Sequence, residues 1–326
     1  MPKISVCIPT FNRMNLLPYA IESVLKQTYQ DFELIVCDDG SQDNTPNVMS
    51  QYTDSRIQYI RHSQNIGKSN NMQSGFNAAT GEYFIKFDDD DRLTPEFLSR
   101  TVAILDRDYS IDFVGTDHWI IDINNLRDET GTQENSRRWG RTNLPEGVVD
   151  NLLEVVFVNQ SFQIGATLFR RALLQELGFV QLHVQNCEDS DLFVRLALAG
   201  KKGYYLPELL MEYRIHSEQQ GIARAIPYFT DKIRYLQNYK FENEKLEKIR
   251  RQRLLETQLL LGLRLIETGE TLQGRELLLA SQSFSTAKAW LGLTLSVLPV
   301  GLRPWGFDLL RRVSSSNLWN ILQYSP

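Results

Sequence analysis

Short apolar runs alternate with segments of helical periodicity over residues 4–87. Strands are predicted at residues 4–8, 32–37, 57–60 and 83–87, and helices at residues 16–25, 43–52 and 69–79. Strand and helix patterns that alternate with short connections are typical of an open, mostly parallel sheet with helices on both faces. The sequence therefore predicts an α/β fold, an α/β/α sandwich around a mostly parallel central sheet.

Polar residues follow three of the four predicted strands. The first strand is followed by the segment PTFN at residues 9–12, the second by Asp38 and Asp39, and the fourth by aspartates at residues 88–91. In open sheets of this kind, ligands bind beyond the carboxyl ends of the strands. We therefore expect these groups to converge on one crevice.

Four consecutive aspartates in the segment "YFIKFDDDDRLTP" form either a cation site or a solvated turn. At a strand end, residues two apart project to the same side of the backbone, so Asp88 and Asp90 would lie together. Mg²⁺ and Mn²⁺ use one or two carboxylates, completed by phosphate oxygens and water. The alternative is an exposed acidic turn that caps a helix starting near Thr94. The preceding strand and the other polar strand ends favour the cation site.

Composition excludes several classes of protein. The 326 residues carry a net charge of -5, and this leaves no basic excess for binding nucleic acid. Cys7, Cys37 and Cys187 lack C-x-x-C spacing, which predicts buried reduced thiols rather than a zinc site. No secretory segment precedes the first strand, and the apolar stretch at residues 290–302 is shorter than the roughly 20 residues that cross a bilayer. We expect a cytoplasmic protein.

The pattern changes along the rest of the chain. Residues 124–141 are polar and charged, and predict a long loop or lid. Strand and helix patterns return over residues 162–213, and leucine-rich helices are predicted at residues 231–269 and 271–297. We place a boundary near residues 221–227, between a first domain at residues 1–222 and an α-helical extension at residues 223–326.

The helical extension has two interpretations. Its apolar stripes either pack within the chain or form a homo-oligomer interface. Alternatively, the segment "WLGLTLSVLPVGLRPWGF", with Trp290, Arg303 and Trp305, is the kind of aromatic-edged amphipathic surface that contacts a membrane, here its inner face. Base rates favour packing.

The segment "CEDSDLFVRLALAG" predicts an amphipathic helix. Glu188 and Asp189 lie in its first turn, where the helix dipole favours carboxylates. Asp191 and Arg195 are spaced as an i, i+4 ion pair. A purely structural role explains all four residues, and catalysis by one of the carboxylates is the alternative.

Four segments together resemble glycosyltransferase family 2. In order they are "ISVCIPTFNR", "FELIVCDDGSQDNT", "NIGKSNNMQSGFNAATGEYFIKFDDDD" and "NCEDSDLFVRLALAG". Each motif is weak alone, but four in this order and spacing are specific. The resemblance covers about residues 2–221 and implies an inverting enzyme of GT-A fold that uses nucleotide sugars.

The resemblance implies a role for each matching residue. Pro9 and Phe11 would lie against the base and ribose, and Asp39 would accept a hydrogen bond from the base. Asp88 would face the ribose and phosphates, and Asp90 would ligate a divalent metal, Mn²⁺ or Mg²⁺. The metal would neutralise the diphosphate of the donor.

The resemblance also implies a general base at Asp189. It would take the proton of an acceptor hydroxyl as that oxygen attacks the anomeric carbon opposite the leaving nucleotide, which inverts the centre. Glu188 is the alternative base, and Asp191 is assigned a structural role. The acceptor would be a glycan, lipid-linked or polysaccharide.

The chain departs from the family pattern in one place. Where an Ala-Arg-Asn triplet is common, it has Asn71, Met72 and Gln73, which removes one phosphate contact that Lys68 could replace. His216 could approach the metal. UDP is the expected nucleotide, with dTDP and GDP as alternatives.

Two other functions compete with this interpretation. They are a nucleotidyltransferase, whose glycine-rich basic signature is missing, and a catalytically silent nucleotide-binding module.

Overall fold

The computed structural model describes residues 1–181, 184–216 and 222–313. The chain divides into two compact units, one spanning Met1–Ile215 and the other beginning at His216.

The first unit is built on one sheet, and ten of its strands lie in the described residues. The strands are β1 Ile4–Thr10, β2 Phe32–Asp38, β3 Ile57–Arg61, β4 Tyr83–Lys86, β5 Arg92–Leu93, β6 Phe113–Ile121, β7 Arg127–Asp128, β8 Gly147–Val148, β9 Thr167–Arg170 and β10 Gly203–Arg214. Their order is β3-β2-β1-β4-β9-β6-β10-β5, with β7 beside β6 and β8 beside β10.

The longer strands are mostly parallel, as predicted. β3, β2, β1 and β4 run parallel, and so do β6 and β10, while β9 runs antiparallel between β4 and β6. Thr10 lies opposite Asp38, and Cys7 lies opposite Lys86. This register brings the carboxyl ends of β2, β1 and β4 to one edge of the sheet.

Helices accompany the sheet and bury their apolar sides. They are α1 Leu17–Leu25, α2 Thr45–Met49, α3 Lys68–Ala78, α4 Phe97–Arg107, α5 Glu129–Arg138, α6 Leu152–Glu154, α7 Arg171–Leu177 and α8 Glu188–Leu198. In α1, for example, Leu17, Ile21 and Val24 are inaccessible to solvent and join the core formed by β1, β2 and β4. Burying a side chain of this size contributes about 1.5–3 kcal/mol.

The predicted loop or lid at residues 124–141 is wrong. This segment contains β7, helix α5 and the start of a short 3₁₀ turn. Asp128 caps α5 by accepting the N–H of Gly131 at 2.9 Å, and Arg141 is buried with its Nε 2.7 Å from Asp117 Oδ1. The polar side chains therefore find partners inside the fold instead of in water.

The second unit is helical. Its helices are α9 Ile222–Gln237, α10 Glu244–Thr268, α11 Thr271–Ala280, α12 Thr286–Leu295 and α13 Arg303–Val313. The two long helices predicted at residues 231–269 and 271–297 are each broken, a correction with a local cause. Asn243 accepts the N–H of Leu246 and so starts α10 afresh.

Two further expectations concern the whole chain. Cys7, Cys37 and Cys187 are free and buried, as predicted. No helix in the described ranges combines the length and hydropathy that crossing a bilayer requires.

Candidate active site

The loops that follow β1 and β2 are tied together by one asparagine. Asn12 has a positive φ of 54°, which turns the chain sharply after β1. Its N–H donates to Ser41 Oγ at 2.9 Å, and its Oδ1 accepts the N–H of Gln42 at 2.8 Å. The two loops therefore hold a fixed geometry at the edge of the sheet. Pro9, near the end of β1, is half-buried, and the side chain of Phe11, in the loop that follows, is exposed.

Asp39 is buried and organises the loop that precedes α3. Its Oδ1 accepts the N–H of Ile66 at 2.6 Å, and its Oδ2 accepts that of Gly67 at 3.1 Å. Gly67 has a φ of 90°, which favours glycine at the start of the helix. Each carboxylate oxygen has two lone pairs, so Asp39 can accept further donors besides these two N–H groups. Its contact with a base stays a prediction.

A buried lysine lies directly beneath the acidic run. Lys86 is the last residue of β4 and is 1% exposed, and its Nζ donates to Asp88 Oδ1 at 2.6 Å. Burial lowers the pKa of Lys86, but the charges of Asp88 and then Asp189 outweigh it and raise that pKa above its usual value. The sequence reasoning missed Lys86, although a lysine inside an apolar strand was a usable signal.

The other aspartates of the run differ in their partners. Asp89 Oδ1 lies 3.8 Å from Arg13 Nε, and burial, followed by the charge of Asp90, raises the pKa of Asp89 to about 7. Asp91 is buried and accepts the N–H of Arg214 at 2.8 Å, and the Arg214 side chain donates to the carbonyl of Asp90. Burial, and then the charge of Asp90, raises the pKa of Asp91 as well. Asp91 thus anchors the run to β10.

The first turn of α8 lies near this cluster, since the charges of Asp189 and Glu188 act on Lys86. Glu188 is buried, and its Oε1 lies 2.5 Å from Nζ of Lys68, a side chain that is half exposed. Asp189 Oδ1 is buried and accepts no hydrogen bond from the residues that the structure describes. Asp191 forms the predicted pair with Arg195, at 2.7 Å. Of the three carboxylates, Asp189 alone keeps a buried oxygen without a hydrogen bond or an ion pair in the described structure.

Asp189 also lines a small cavity of about 100 Å³. A short π-helix at Val155–Asn159 ends beside it at Gln160, which has a positive φ of 53°. Gln160 Nε2 lies 3.4 Å from Ser190 Oγ, and the apolar walls include Phe162 and Phe193. Local π-helices are frequent at functional sites. The cavity offers an amide, a hydroxyl and a carboxylate beside an apolar wall.

Two further family-derived expectations concern Met72 and His216. Met72, at the position where the family often has arginine, is completely buried, so that position presents no polar group. His216 is the first residue of the second unit, and its approach to a metal stays a prediction.

The residues at the end of β4 suit a divalent cation whose remaining ligands are phosphate oxygens and water. Within the described part of the chain, no three His, Cys, Asp or Glu side chains lie together as a preformed metal site. Mg²⁺ and Mn²⁺ nevertheless bind through one or two carboxylates when phosphate and water complete the shell. Asp88 and Asp90 could supply that donor set, and their role as ligands stays a prediction. Burial, and then the negative charge of Asp90, raises the pKa of Asp89, and a cation bound here would offset that charge.

Comparison with known proteins agrees with this geometry. The family model described as "Glycosyl transferase family 2" matches residues 5–178. A GalNAc(5)-diNAcBac-PP-undecaprenol beta-1,3-glucosyltransferase of Campylobacter jejuni is 40% identical over 113 residues, which is 34% of this chain and 37% of that protein.

Two solved structures share the fold. TarS 1-349 of S. aureus in complex with UDP-GlcNAc aligns with a TM-score of 0.59 and 18% identity over 99% of this chain and 93% of that one. Mannosyltransferase PcManGT of Pyrobaculum calidifontis, in complex with GDP-Man and Mn²⁺, aligns with a TM-score of 0.58 and 17% identity over 98% and 88%. The chain therefore belongs to glycosyltransferase family 2 and is a glycosyltransferase of GT-A fold.

Proposed function

We propose that this glycosyltransferase moves a sugar from a UDP-sugar to a hydroxyl of a lipid-linked glycan by a single displacement that inverts the anomeric centre. The observation that carries the proposal is the buried Lys86, whose charge acts on Asp88 and on Asp189 together. Asp88, on the proposed donor side, and Asp189, at the start of α8, therefore lie in one cluster. That arrangement suits a reaction in which leaving group and attacking hydroxyl lie on opposite faces of one sugar.

The donor end of the site is the edge formed by β2, β1 and β4. Phe11 is exposed there and offers a ring for stacking, and Asp39 has lone pairs for a base N–H. TarS, which shares the fold, binds UDP-GlcNAc, and this supports UDP as the first nucleotide to test. PcManGT binds GDP-Man, so GDP is the second, and dTDP follows.

The diphosphate is proposed to bind beside Asp88 and Asp90 with Mn²⁺ or Mg²⁺. When bound, the metal would supply Lewis-acid stabilisation of the charge that develops on the leaving nucleotide. Asp90 would hold it directly. Asp88, fixed by its hydrogen bond from Lys86, would orient the ribose and phosphates.

Asp189 is the proposed general base. Glu188 is bound to Lys68, and Asp191 is bound to Arg195, whereas Asp189 Oδ1 has a free lone pair and lines the cavity. An acceptor hydroxyl that enters the cavity would donate its hydrogen bond to this oxygen. The proton would pass to Asp189 as the hydroxyl oxygen attacks the anomeric carbon and the bond to the nucleotide breaks.

The acceptor class follows from a relative and not from the geometry. The Campylobacter enzyme is named for a polyprenyl-diphosphate-linked glycan. We propose the same class here, with free glycans and polysaccharide as alternatives. The proposed catalytic domain comprises residues 1–222.

Calorimetric titration tests the donor and metal assignments first. UDP should bind in the presence of Mn²⁺, and binding should weaken strongly with EDTA and in Asp90→Asn. Asp89→Asn is the matched control, because it removes a neighbouring carboxylate outside the proposed ligand pair. If no UDP, GDP or dTDP binds, the transferase proposal gives way to a silent module.

Turnover of UDP-sugars with a lipid-linked acceptor tests the base. Asp189→Asn should lower kcat about 10²–10⁴-fold, since a general base contributes this much, while UDP affinity stays unchanged. Glu188→Gln is the control and should retain most activity. The reverse pattern would transfer the assignment to Glu188.

A further inference from the structure

Gln160 ends the short π-helix beside the cavity in a backbone conformation that its side chain disfavours. Its φ of 53° lies in the left-handed region, where the Cβ of an L-residue crowds the backbone. The other non-glycine residues of positive φ in the described structure are Asn12, Asn125 and Asn151, and asparagine tolerates this region. Strain of this kind persists where the surrounding structure imposes it, and it concentrates at ligand-binding sites.

The residues on either side of Gln160 impose this conformation. Ser161 is buried, and its Oγ donates to the carbonyl of Trp139 at 2.7 Å. Asn159 packs against Gly140, because a Cβ added to that glycine would lie 3.2 Å from the Asn159 Cβ. The turn after α5 therefore fixes both neighbours of Gln160 and holds the strained backbone between them.

The side chain of Gln160 lies at the cavity that Asp189 also lines. Its Nε2 is 3.4 Å from Ser190 Oγ, whereas a usual N–H···O bond measures about 2.7–3.2 Å. The side chain makes no other hydrogen bond within the described residues. An amide has two N–H donors and a carbonyl acceptor, so Gln160 can bind a ligand group that both donates and accepts.

The size and lining of the cavity fit part of a sugar. Pockets that enclose a whole small molecule measure about 300–1,000 Å³, whereas this cavity measures about 100 Å³. It therefore admits one edge of a sugar ring and not a whole glycan. The polar groups of Gln160, Asp189 and Ser190 would face the hydroxyls on that edge, and the rings of Phe162 and Phe193 would face its C–H groups.

We propose that Gln160 binds the acceptor sugar and so selects which of its hydroxyls attacks. One hydroxyl donates its hydrogen bond to Asp189 Oδ1, the buried oxygen that accepts none within the described residues. A neighbouring hydroxyl on the same ring exchanges hydrogen bonds with the Gln160 amide, since both groups donate and accept. Two contacts fix the orientation of the ring, whereas one contact would let it rotate. This role of Gln160 rests on the proposed function, in which Asp189 is the base.

Acceptor kinetics of Gln160→Gly test the proposal. Glycine adopts a positive φ without strain, so the variant removes the amide and leaves the backbone in place. With a saturating UDP-sugar and polyprenyl-diphosphate-linked N-acetylglucosamine as the varied acceptor, the acceptor KM should rise about tenfold, as expected for a lost hydrogen bond. The kcat should change less, because the base is intact. The urea midpoint of unfolding should equal or exceed that of the wild type.

Two further variants separate acceptor binding from effects on the backbone. Asn151→Gly changes a residue of φ 51° at the start of the same helical segment, outside the cavity. It should keep the acceptor KM of the wild type. Gln160→Met keeps the length of the side chain and the strained φ but removes the amide, and it should raise the acceptor KM about as much as Gln160→Gly.

Acceptors that each lack one hydroxyl identify the contact. The probes are monodeoxy analogues of the same lipid-linked sugar. Removing the hydroxyl that Gln160 binds should lower kcat/KM about tenfold in the wild type and little in Gln160→Gly, since its partner is already gone. Removing a hydroxyl elsewhere on the ring should affect the two enzymes equally.

Several outcomes would overturn the role of Gln160. An acceptor KM equal to that of the wild type in Gln160→Gly or in Gln160→Met would assign the residue to packing, and so would equal effects of every monodeoxy acceptor on the two enzymes. A rise in the KM of the UDP-sugar instead would place Gln160 beside the donor. These results leave the proposed function standing, whereas a wild type that binds UDP but transfers no sugar would withdraw the function and the role together.

Discussion

The strands on either side of β1 both end in aspartates, but only after β2 does every one of these aspartates accept a backbone N–H. After β2, Asp38 Oδ1 accepts the N–H of Ser41 at 2.8 Å. Asp39 accepts two more backbone N–H groups, from Ile66 and Gly67. These carboxylates are hydrogen-bonded components of their loops.

The end of β4 is built differently. Four carboxylates lie in succession, with Lys86 bound to the first and Arg13 at a longer distance from the second. Burial and neighbouring charge raise the pKa of Asp89 to about 7, and Asp91 Oδ2 is buried and accepts no hydrogen bond in the described structure. Negative charge there exceeds what the fold compensates.

The contrast separates two uses of the same residue. Carboxylates that accept several backbone N–H groups fix a loop, and their charge is already compensated. Carboxylates that crowd against each other are tolerated in a native state when a ligand relieves them, and such local conflicts concentrate at functional sites. The first two predictions below test this distinction, and the last two test the buried network around Asp117; all four are given from the largest expected effect to the smallest.

Removing the buried cation should cost the most stability. Lys86→Met leaves Asp88 beside three further aspartates without its partner. Breaking a buried ion pair costs about 3–5 kcal/mol, and the partial exposure of Asp88 places the expected loss near the lower limit. Urea denaturation would measure it.

Two controls accompany this variant. Lys26→Met removes an exposed lysine, and its surface pair with Glu22 should contribute less than about 1 kcal/mol. Adding Asp88→Asn to Lys86→Met should restore part of the loss, because it removes the unpaired charge. Equal losses in the two lysine variants would refute the role of Lys86.

The next prediction compares one aspartate at the end of β2 with one at the end of β4. Asp39→Asn should lose about 2 kcal/mol, because the amide nitrogen replaces an acceptor and faces a backbone N–H. Asp89→Asn should change the free energy of unfolding by less than about 0.5 kcal/mol, since it removes a charge that the fold disfavours. Thermal and urea unfolding of both variants at neutral pH would decide. A larger loss in Asp89→Asn would contradict the distinction between the two ends.

The same distinction explains how much of the site the sequence could predict. The alternation of strands and helices is local, and the register of β1 with β2 and β4 follows from it, so the strand ends were expected to meet. Asp38, Asp39 and the acidic run were therefore found. Lys86 was missed although its partner Asp88 is only two residues away. The alternation of strands and helices predicts a strand here, but it does not show that this lysine is buried.

Long-range pairing also accounts for the errors. Residues 124–141 were predicted to form a loop from their charge, yet Arg141 pairs with Asp117 on β6, and Ser136 of α5 donates to the same carboxylate. Nothing local in the segment signals that partner. The breaks between helices in the second unit depend on single capping residues such as Asn243. Apolar periodicity over a long window does not detect a single capping residue.

A mutation at this pairing gives the third prediction. Arg141→Met should lose about 2 kcal/mol, less than Lys86→Met, since Asp117 keeps the N–H of His118 and the hydroxyl of Ser136 as partners. Hydrogen exchange of α5 should also become faster, because the helix is held to β6 through the same carboxylate. Protection of α5 equal to that of the wild type would show that the pair does not hold the segment.

The smallest effect is expected from pH at this same network. Burial, and then the charge of Arg141, lowers the pKa of His118 to about 3. The unfolded chain therefore binds more protons than the folded one between about pH 6.5 and pH 3, so stability is present above that window and is lost as pH falls. The expected loss is about 1 kcal/mol between about pH 7.5 and pH 5.5. This loss is the part due to His118 alone, because the raised pKa of Asp89 acts in the opposite direction over the same window. The difference in stability between the wild type and His118→Gln should therefore change by about 1 kcal/mol across the window, and a constant difference would contradict the role of His118.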